Sequence, residues 1–236
     1  MAEIIVAIDQ STWSQKEADV LFELAELDLI QGAKHGLEIF TSDASERAFN
    51  SLTNLDIKFM ADWKFHDIGN TIARASRNIG FSTPDILTFH AFSSPGMIKG
   101  AVNAVEPTGM GAAITVLTDI SDEDLALMLD LDIKRERLVP ALADWATKHG
   151  ARAIVSSAKE LPALMEHRSE LVRNAVKIIP GTRLGIAGNR DQKNVVLPGE
   201  AVKMGADILV IGSEIWGQEN PVEAAMKIKE HLDSYK

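Results

Sequence analysis

Two acids and a lysine stand at D-x-K-x-x-D spacing in the run Asp62-Trp63-Lys64-Phe65-His66-Asp67-Ile68-Gly69-Asn70-Thr71, where an apolar segment at 57–60 runs out. Side chains two apart on a strand share a face, so Asp62 and Lys64 are expected to point the same way. Asp67 falls beyond the strand, where that period no longer constrains it. A carboxylate beside an ammonium in a partly dry pocket keeps the lysine charged and aimed, which suits a proton donor. On spacing alone, a solvated Asp/Lys pair closing a strand reads equally well.

The elements that must position these groups are legible as an alternation. Apolar runs rich in Ile, Val and Leu predict strands at 3–9, 33–40, 57–64, 85–90, 112–118, 151–156, 176–179 and 208–212. Helix-period segments lie between them at 14–29, 45–54, 70–79, 96–104, 139–149, 159–174, 198–204 and 221–234. Strict strand–helix alternation calls for a parallel sheet, and near-continuous apolar strands mean that both faces are covered. Eight pairs in 236 residues favour a (β/α)8 TIM barrel formed by a single domain over 1–236. An open doubly wound sheet would carry a Gly-rich turn after the first strand, where Asp9-Gln10-Ser11-Thr12-Trp13 stands instead. The acidic-then-basic stretch at 121–137 reads as a solvated helix face or loop.

Composition sets the outer limits. With 46% hydrophobic and 25% charged residues the chain can bury a full core. Its net charge of −10 argues against a nucleic-acid or anionic-membrane surface. No cysteine is present, so disulfides, thiolate nucleophiles and cysteine metal sites are excluded. Neither a signal peptide nor an apolar run of roughly twenty residues appears, which makes the cytoplasm the default location. The compact ends favour a stand-alone chain.

A barrel builds its site at the C-terminal ends of its strands. Those ends carry Asp9, Lys34 (inside its strand), Asp62 with Lys64, His90, Thr118 followed by Asp119 and Ser121, Pro180-Gly181, and Gly212-Ser213. Buried charges are costly unless paired. Lys34, Asp62, Lys64 and Asp67 can form an alternating network that makes burial tolerable and leaves any one of them stranded if another is removed. His66 and His90 read as satisfied core histidines, and the tryptophans, Trp216 included, as packing residues.

The run D-W-K-F-H-D-I-G-N-T resembles the D-L-K-F-H-D-I-P-N-T signature of the orotidine 5′-phosphate decarboxylase family, differing at two positions. The likeness extends along the chain. Ile4-Ile5-Val6-Ala7-Ile8-Asp9 resembles the family's opening strand, Lys34 in K-H-G matches its K-x-G lysine, and Val116-Leu117-Thr118 with Ser121 is similar to its fifth strand end. Pro180-Gly181-Thr182-Arg183 with Asp191-Gln192 looks like its P-G-x-R…D-Q phosphate loop, and 205–212 like its last strand. Two positions depart. Ser213 stands where the family has a phosphate-clamping Arg, and Gly69 replaces the usual Pro, which is expected to loosen that turn.

What the resemblance implies is a carboxy-lyase that converts orotidine 5′-phosphate to UMP, the last step of pyrimidine synthesis, with no metal or organic cofactor. Lys64 would stabilise and protonate the C6 carbanion. Asp62 would sit beside the leaving carboxylate, and Lys34 would connect Asp62 to the ribose hydroxyls. Asp9, Ile68, Thr71, Thr118, Ser121, Pro180, Arg183, Gln192, Gly212 and Ser213 would bind substrate. Asp67 and Thr71 would reach the neighbouring site of a homodimer. Two rivals stand beside it. One is a metal-using sugar-phosphate decarboxylase or synthase with the same D-x-K-x-x-D residues. The other is a nucleotide-binding paralogue in which loss of the arginine has weakened turnover.

Overall fold

The computed structural model describes residues 2–77, 83–185 and 196–235. Eight parallel strands close into a barrel in chain order: β1 (Glu3–Ile8), β2 (Gly32–Gly36), β3 (Lys58–Phe65), β4 (Ile86–His90), β5 (Met110–Ile114), β6 (Ala153–Val155), β7 (Val176–Pro180) and β8 (Ile208–Ile211). β1 pairs with both β2 and β8, so the sheet has no free edge. Among the described residues no helix is long and apolar enough to cross a membrane.

The pleat of the strands decides where the site lies. In β1, Ile4, Val6 and Ile8 pack outward beneath the helices, while Ile5 and Ala7 point into the barrel with Met60, Ile86, Ala112 and Ile178. Burying side chains of this size contributes about 1.5–3 kcal/mol each, which is why both faces of the strand are apolar. Carried one step further, the inward series 5, 7 reaches Asp9. The same parity leads from Gly32 to Lys34 and Gly36, from Met60 to Asp62, and from Ile86 to Thr88 and His90. Apolar side chains fill the barrel floor, and polar ones take over at its C-terminal mouth.

Three segments differ from the sequence-based expectation. Residues 37–40, read as the end of strand two, form a one-turn helix (Leu37–Phe40) that starts from Gly36. Ile39 is buried while Leu37 and Phe40 are exposed, which is a helical rather than an alternating pattern. Strand five ends at Ile114 instead of Thr118, and the next four residues form a loop. The stretch 159–174 is broken into a 3-10 turn (Ala158–Glu160) and two short helices, Leu161–Met165 and Glu170–Asn174. Within 121–137, expected as a solvated helix face or loop, residues Asp122–Leu129 form a helix with Leu127 and Met128 exposed.

Gly69 opens the helix Gly69–Arg77, which packs on the helix Pro95–Asn103. A Cβ at Gly69 would lie 2.7 Å from the carbonyl carbon of Gly96. The glycine therefore permits close approach of two helices, where the sequence suggested a loosened turn.

Candidate active site

Four charges alternate in sign across the barrel mouth. Lys34 Nζ lies 2.5 Å from Asp9 Oδ1 and 3.1 Å from Asp62 Oδ2, and Lys64 Nζ lies 2.8 Å from that same Asp62 oxygen. The centre of the chain is buried and its ends are open: side-chain exposure is 8% for Lys34 and 10% for Asp62, against 33% for Lys64 and 53% for Asp9. Burial would raise the Asp62 carboxyl. The Lys34 and Lys64 ammoniums, with hydrogen bonds from Lys64 and Thr88, outweigh that effect and hold it below the usual carboxylate range. Asp62 is thus a fixed anion with one oxygen shared between two cations.

Local backbone geometry creates this arrangement. The β3–β4 register shifts between Ala61 and Phe65, and Lys64 adopts φ +50°, a left-handed conformation that is unfavourable for a residue with a side chain. Lys64 N–H donates to Thr88 Oγ1 at 3.0 Å, and the Thr88 hydroxyl donates to Asp62 Oδ1 at 2.9 Å. On β2, Gly36 leaves room for the first ion pair. A Cβ there would lie 1.9 Å from Asp9 Oδ1 and 3.0 Å from Lys34 Nζ.

The network opens into a cavity of about 620 Å³. Of the residues expected to bind substrate, Asp9, Thr118, Pro180, Arg183, Gly212 and Ser213 line it together with Lys34, Asp62 and Lys64. Trp216 also lines it while packing edge-on against Trp13 (5.7 Å) and donating to Ala7 O at 2.8 Å, so its packing role and its place at the site coexist. Among the described residues no group of three or more His, Cys, Asp or Glu is arranged to hold a metal ion.

Other expected site residues lie elsewhere. Asp67 and Ile68 line a separate hollow with His66, Phe92 and Trp145, and the Asp67 carboxylate accepts from Ile68 N–H at 2.6 Å. Thr71 sits half-buried on the helix Gly69–Arg77, away from the main cavity. Ser121 caps the helix Asp122–Leu129, accepting from Asp124 N–H at 3.1 Å and donating to its carboxylate at 2.8 Å, outside the main cavity. Gln192 lies outside the described residues.

Sequence reasoning missed three contributors: Gly36, Thr88 and Arg135. The Arg135 guanidinium donates to Leu117 O (2.8 Å), Ile120 O (2.7 Å) and Val116 O (3.3 Å), and to buried Glu160 at 2.8 Å. It therefore ties down the loop that presents Leu117 and Thr118 to the cavity. Inward strand parity was a usable signal for Thr88; nothing in the local sequence pointed to Arg135. Behind the site, the His35 ring is held between Ser45 O (3.4 Å, from Nε2) and Trp63 Nε1–H (3.4 Å, to Nδ1). Burial lowers its pKa. Burial also lowers that of His90, whose ring lies 5.3 Å from His66 and near the Lys64 charge.

The profile of the "Orotidine 5'-phosphate decarboxylase / HUMPS family" matches residues 2–228. The orotidine 5′-phosphate decarboxylase of Carboxydothermus hydrogenoformans is 32% identical over 237 aligned positions, covering 98% of this chain and 95% of that protein. The one from Gloeothece citriformis is 34% identical, covering 97% of each. The crystal structure of orotidine 5′-phosphate decarboxylase from Lactobacillus acidophilus superposes with a TM-score of 0.79 at 25% identity, over 99% of this chain and all of that one. An eight-stranded barrel carrying the alternating-charge motif at its C-terminal mouth, with likeness over almost its whole length, belongs to the orotidine 5′-phosphate decarboxylase / HUMPS family.

Proposed function

We propose that this chain, working as one barrel domain, removes CO₂ from orotidine 5′-phosphate to give UMP. The observation that carries the reading is the Asp9–Lys34–Asp62–Lys64 series at the cavity floor, in which a buried anion holds a lysine aimed into open space. Relatives named for this activity at about a third identity support it.

In the reaction the bond from C6 to the carboxylate breaks and its electron pair stays on C6. The Lys64 ammonium faces that developing charge, stabilises it, and gives up a proton to form the new C6–H bond; the lysine then regains a proton from solvent. Preorganised charge in a partly dry site is worth far more than the same charge in water. Asp62, held ionised, stands beside the substrate carboxylate, and that repulsion is relieved as neutral CO₂ leaves. Lys34 and Asp9 are the polar pair suited to the ribose hydroxyls. The phosphate is assigned to Arg183, to Gln192 and to the Gly212–Ser213 turn. With serine at 213 it lacks a bidentate arginine partner there, so affinity is expected to be modest.

The functional unit in this reading is a cytoplasmic homodimer. Ile68 and Phe92, both more than 60% exposed, flank Asp67 in a hollow of its own, which supports a second subunit covering it and receiving Asp67 and Thr71 at its site. A spectrophotometric assay of orotidine 5′-phosphate consumption by the wild-type protein tests the assignment. Turnover with a high KM is expected, and absence of any turnover at saturating substrate would sink it.

A further inference from the structure

We propose that Thr88 is a positioning residue that sets the Asp62–Lys64 geometry, acting through those two groups rather than on substrate. Ala61 pairs with Leu87 and Phe65 with Phe89, so three residues of β3 face only Thr88 on β4. Such a bulge deprives the extra residues of regular ladder partners. The Thr88 side chain supplies what the ladder does not. A hydroxyl has one hydrogen and two lone pairs, so it can accept from Lys64 N–H and donate to Asp62 Oδ1 at the same time. A third contact, to Ala61 O, is long at 3.5 Å.

Each bond has a distinct consequence. Accepting from Lys64 N–H holds that residue in its left-handed conformation, from which the ammonium projects into the cavity. Donating to Oδ1 orients the Asp62 carboxylate so that Oδ2 meets both ammoniums. Thr88 can do this rigidly because it is fully buried between Leu87 and Phe89, also fully buried, and its branched side chain is stiff at χ1. A threonine serving only the strand would bond its own ladder; this one bonds two groups of the reacting network.

The inference rests on the decarboxylase reading for its kinetic consequence but not for its geometric one, and the two are separable by experiment. Thr88→Val keeps the shape and removes both bonds. Its kcat should fall by about tenfold to a hundredfold, the expected cost of stranding a buried donor and a charged acceptor. KM should stay within about twofold, because substrate contacts are untouched. Thr88→Ser, which keeps the hydroxyl, should recover most of the lost rate. In parallel, amide hydrogen exchange at Lys64, read by NMR, should speed up by about tenfold or more in Thr88→Val. If the wild type proves inactive, the reaction assignment fails while the exchange result still judges Thr88. Unchanged exchange, a kcat within about twofold of wild type, or an equal loss in Thr88→Ser overturns the proposal. Should Thr88→Val not fold by circular dichroism, Thr88→Cys, a weaker donor and acceptor, should give an intermediate kcat; a rate equal to wild type would count against the role.

Discussion

Gly36→Ala is the sharpest perturbation of the charge series. Gly36 has φ −81° and ψ 174°, extended backbone that alanine adopts freely, so the substitution carries no conformational strain. Its whole effect is steric: the new Cβ would sit 1.9 Å from Asp9 Oδ1, and one of them must move. Asp9 is the mobile partner, being half exposed, and clearing the methyl group lengthens its 2.5 Å contact with Lys34. Stretching that pair to about 4 Å costs roughly 2.5 kcal/mol at an effective dielectric of about 20, and roughly 0.6 kcal/mol in bulk water. Exposure of Asp9 places the cost toward the lower part of that span, about 1 kcal/mol, or about fivefold in kcat/KM. Steady-state kinetics on Gly36→Ala, Asp9→Ala and the double variant measure it. The 1.9 Å clash with Asp9 Oδ1 is far tighter than the 3.0 Å approach to Lys34 Nζ, so most of the loss should run through Asp9. The double variant should then be only slightly worse than Asp9→Ala alone. Additive losses, or no loss in Gly36→Ala, would refute the reasoning.

Further outcomes follow from the same site. If the proposed homodimer shares its sites, Lys64→Ala and Asp67→Ala should each lose activity and mixing them should restore part of it, since a mixed dimer would contain one site with both groups intact; no recovery on mixing would rule out sharing across subunits. Ser213→Arg should lower KM for orotidine 5′-phosphate by supplying the bidentate partner, by about tenfold if the contact is worth about 1.5 kcal/mol; an unchanged KM would leave Arg183 and Gln192 as the phosphate's main holders. Stability should fall as pH drops, in two windows. His35 and His90 have lowered folded pKa values, so below about pH 6.5 the unfolded chain binds more protons and stability declines until the folded rings titrate. Asp62 is also lowered, so its contribution persists above about pH 4 and is lost below it as its folded value is passed. Urea unfolding across pH 3–8 reads both windows, and a flat profile from about pH 7 to 5 would contradict the neutral burial of His35.

The barrel was legible because its strands are apolar on both faces and its helices are punctuated, and the polar residues at or near the C-terminal strand ends then pointed to Asp9, Lys34 and Asp62. What escaped the sequence were features that depend on backbone departures from regular period. Residues 37–40 are as apolar as a strand, and only Gly36 and the burial of Ile39 alone distinguish their helical turn. The two-residue period suggested that Asp62 and Lys64 meet, but their contact depends on a bulge and a left-handed Lys64 that no local pattern announces. Arg135 reaches its carbonyls from a helix far along the chain, a tertiary contact without a spacing signature. Ser121 could be read from the sequence either as a substrate contact or as a helix cap, and its hydroxyl does cap the helix Asp122–Leu129.

The central claim is that Lys64, aimed by Asp62, delivers the proton that completes the reaction. The kcat of Lys64→Ala relative to wild type tests it most directly. Removing both the cation facing the developing carbanion and the proton donor should lower kcat by about 10⁴-fold or more, with the variant folded and still binding UMP. A folded Lys64→Ala protein retaining kcat within about tenfold of wild type would contradict the account.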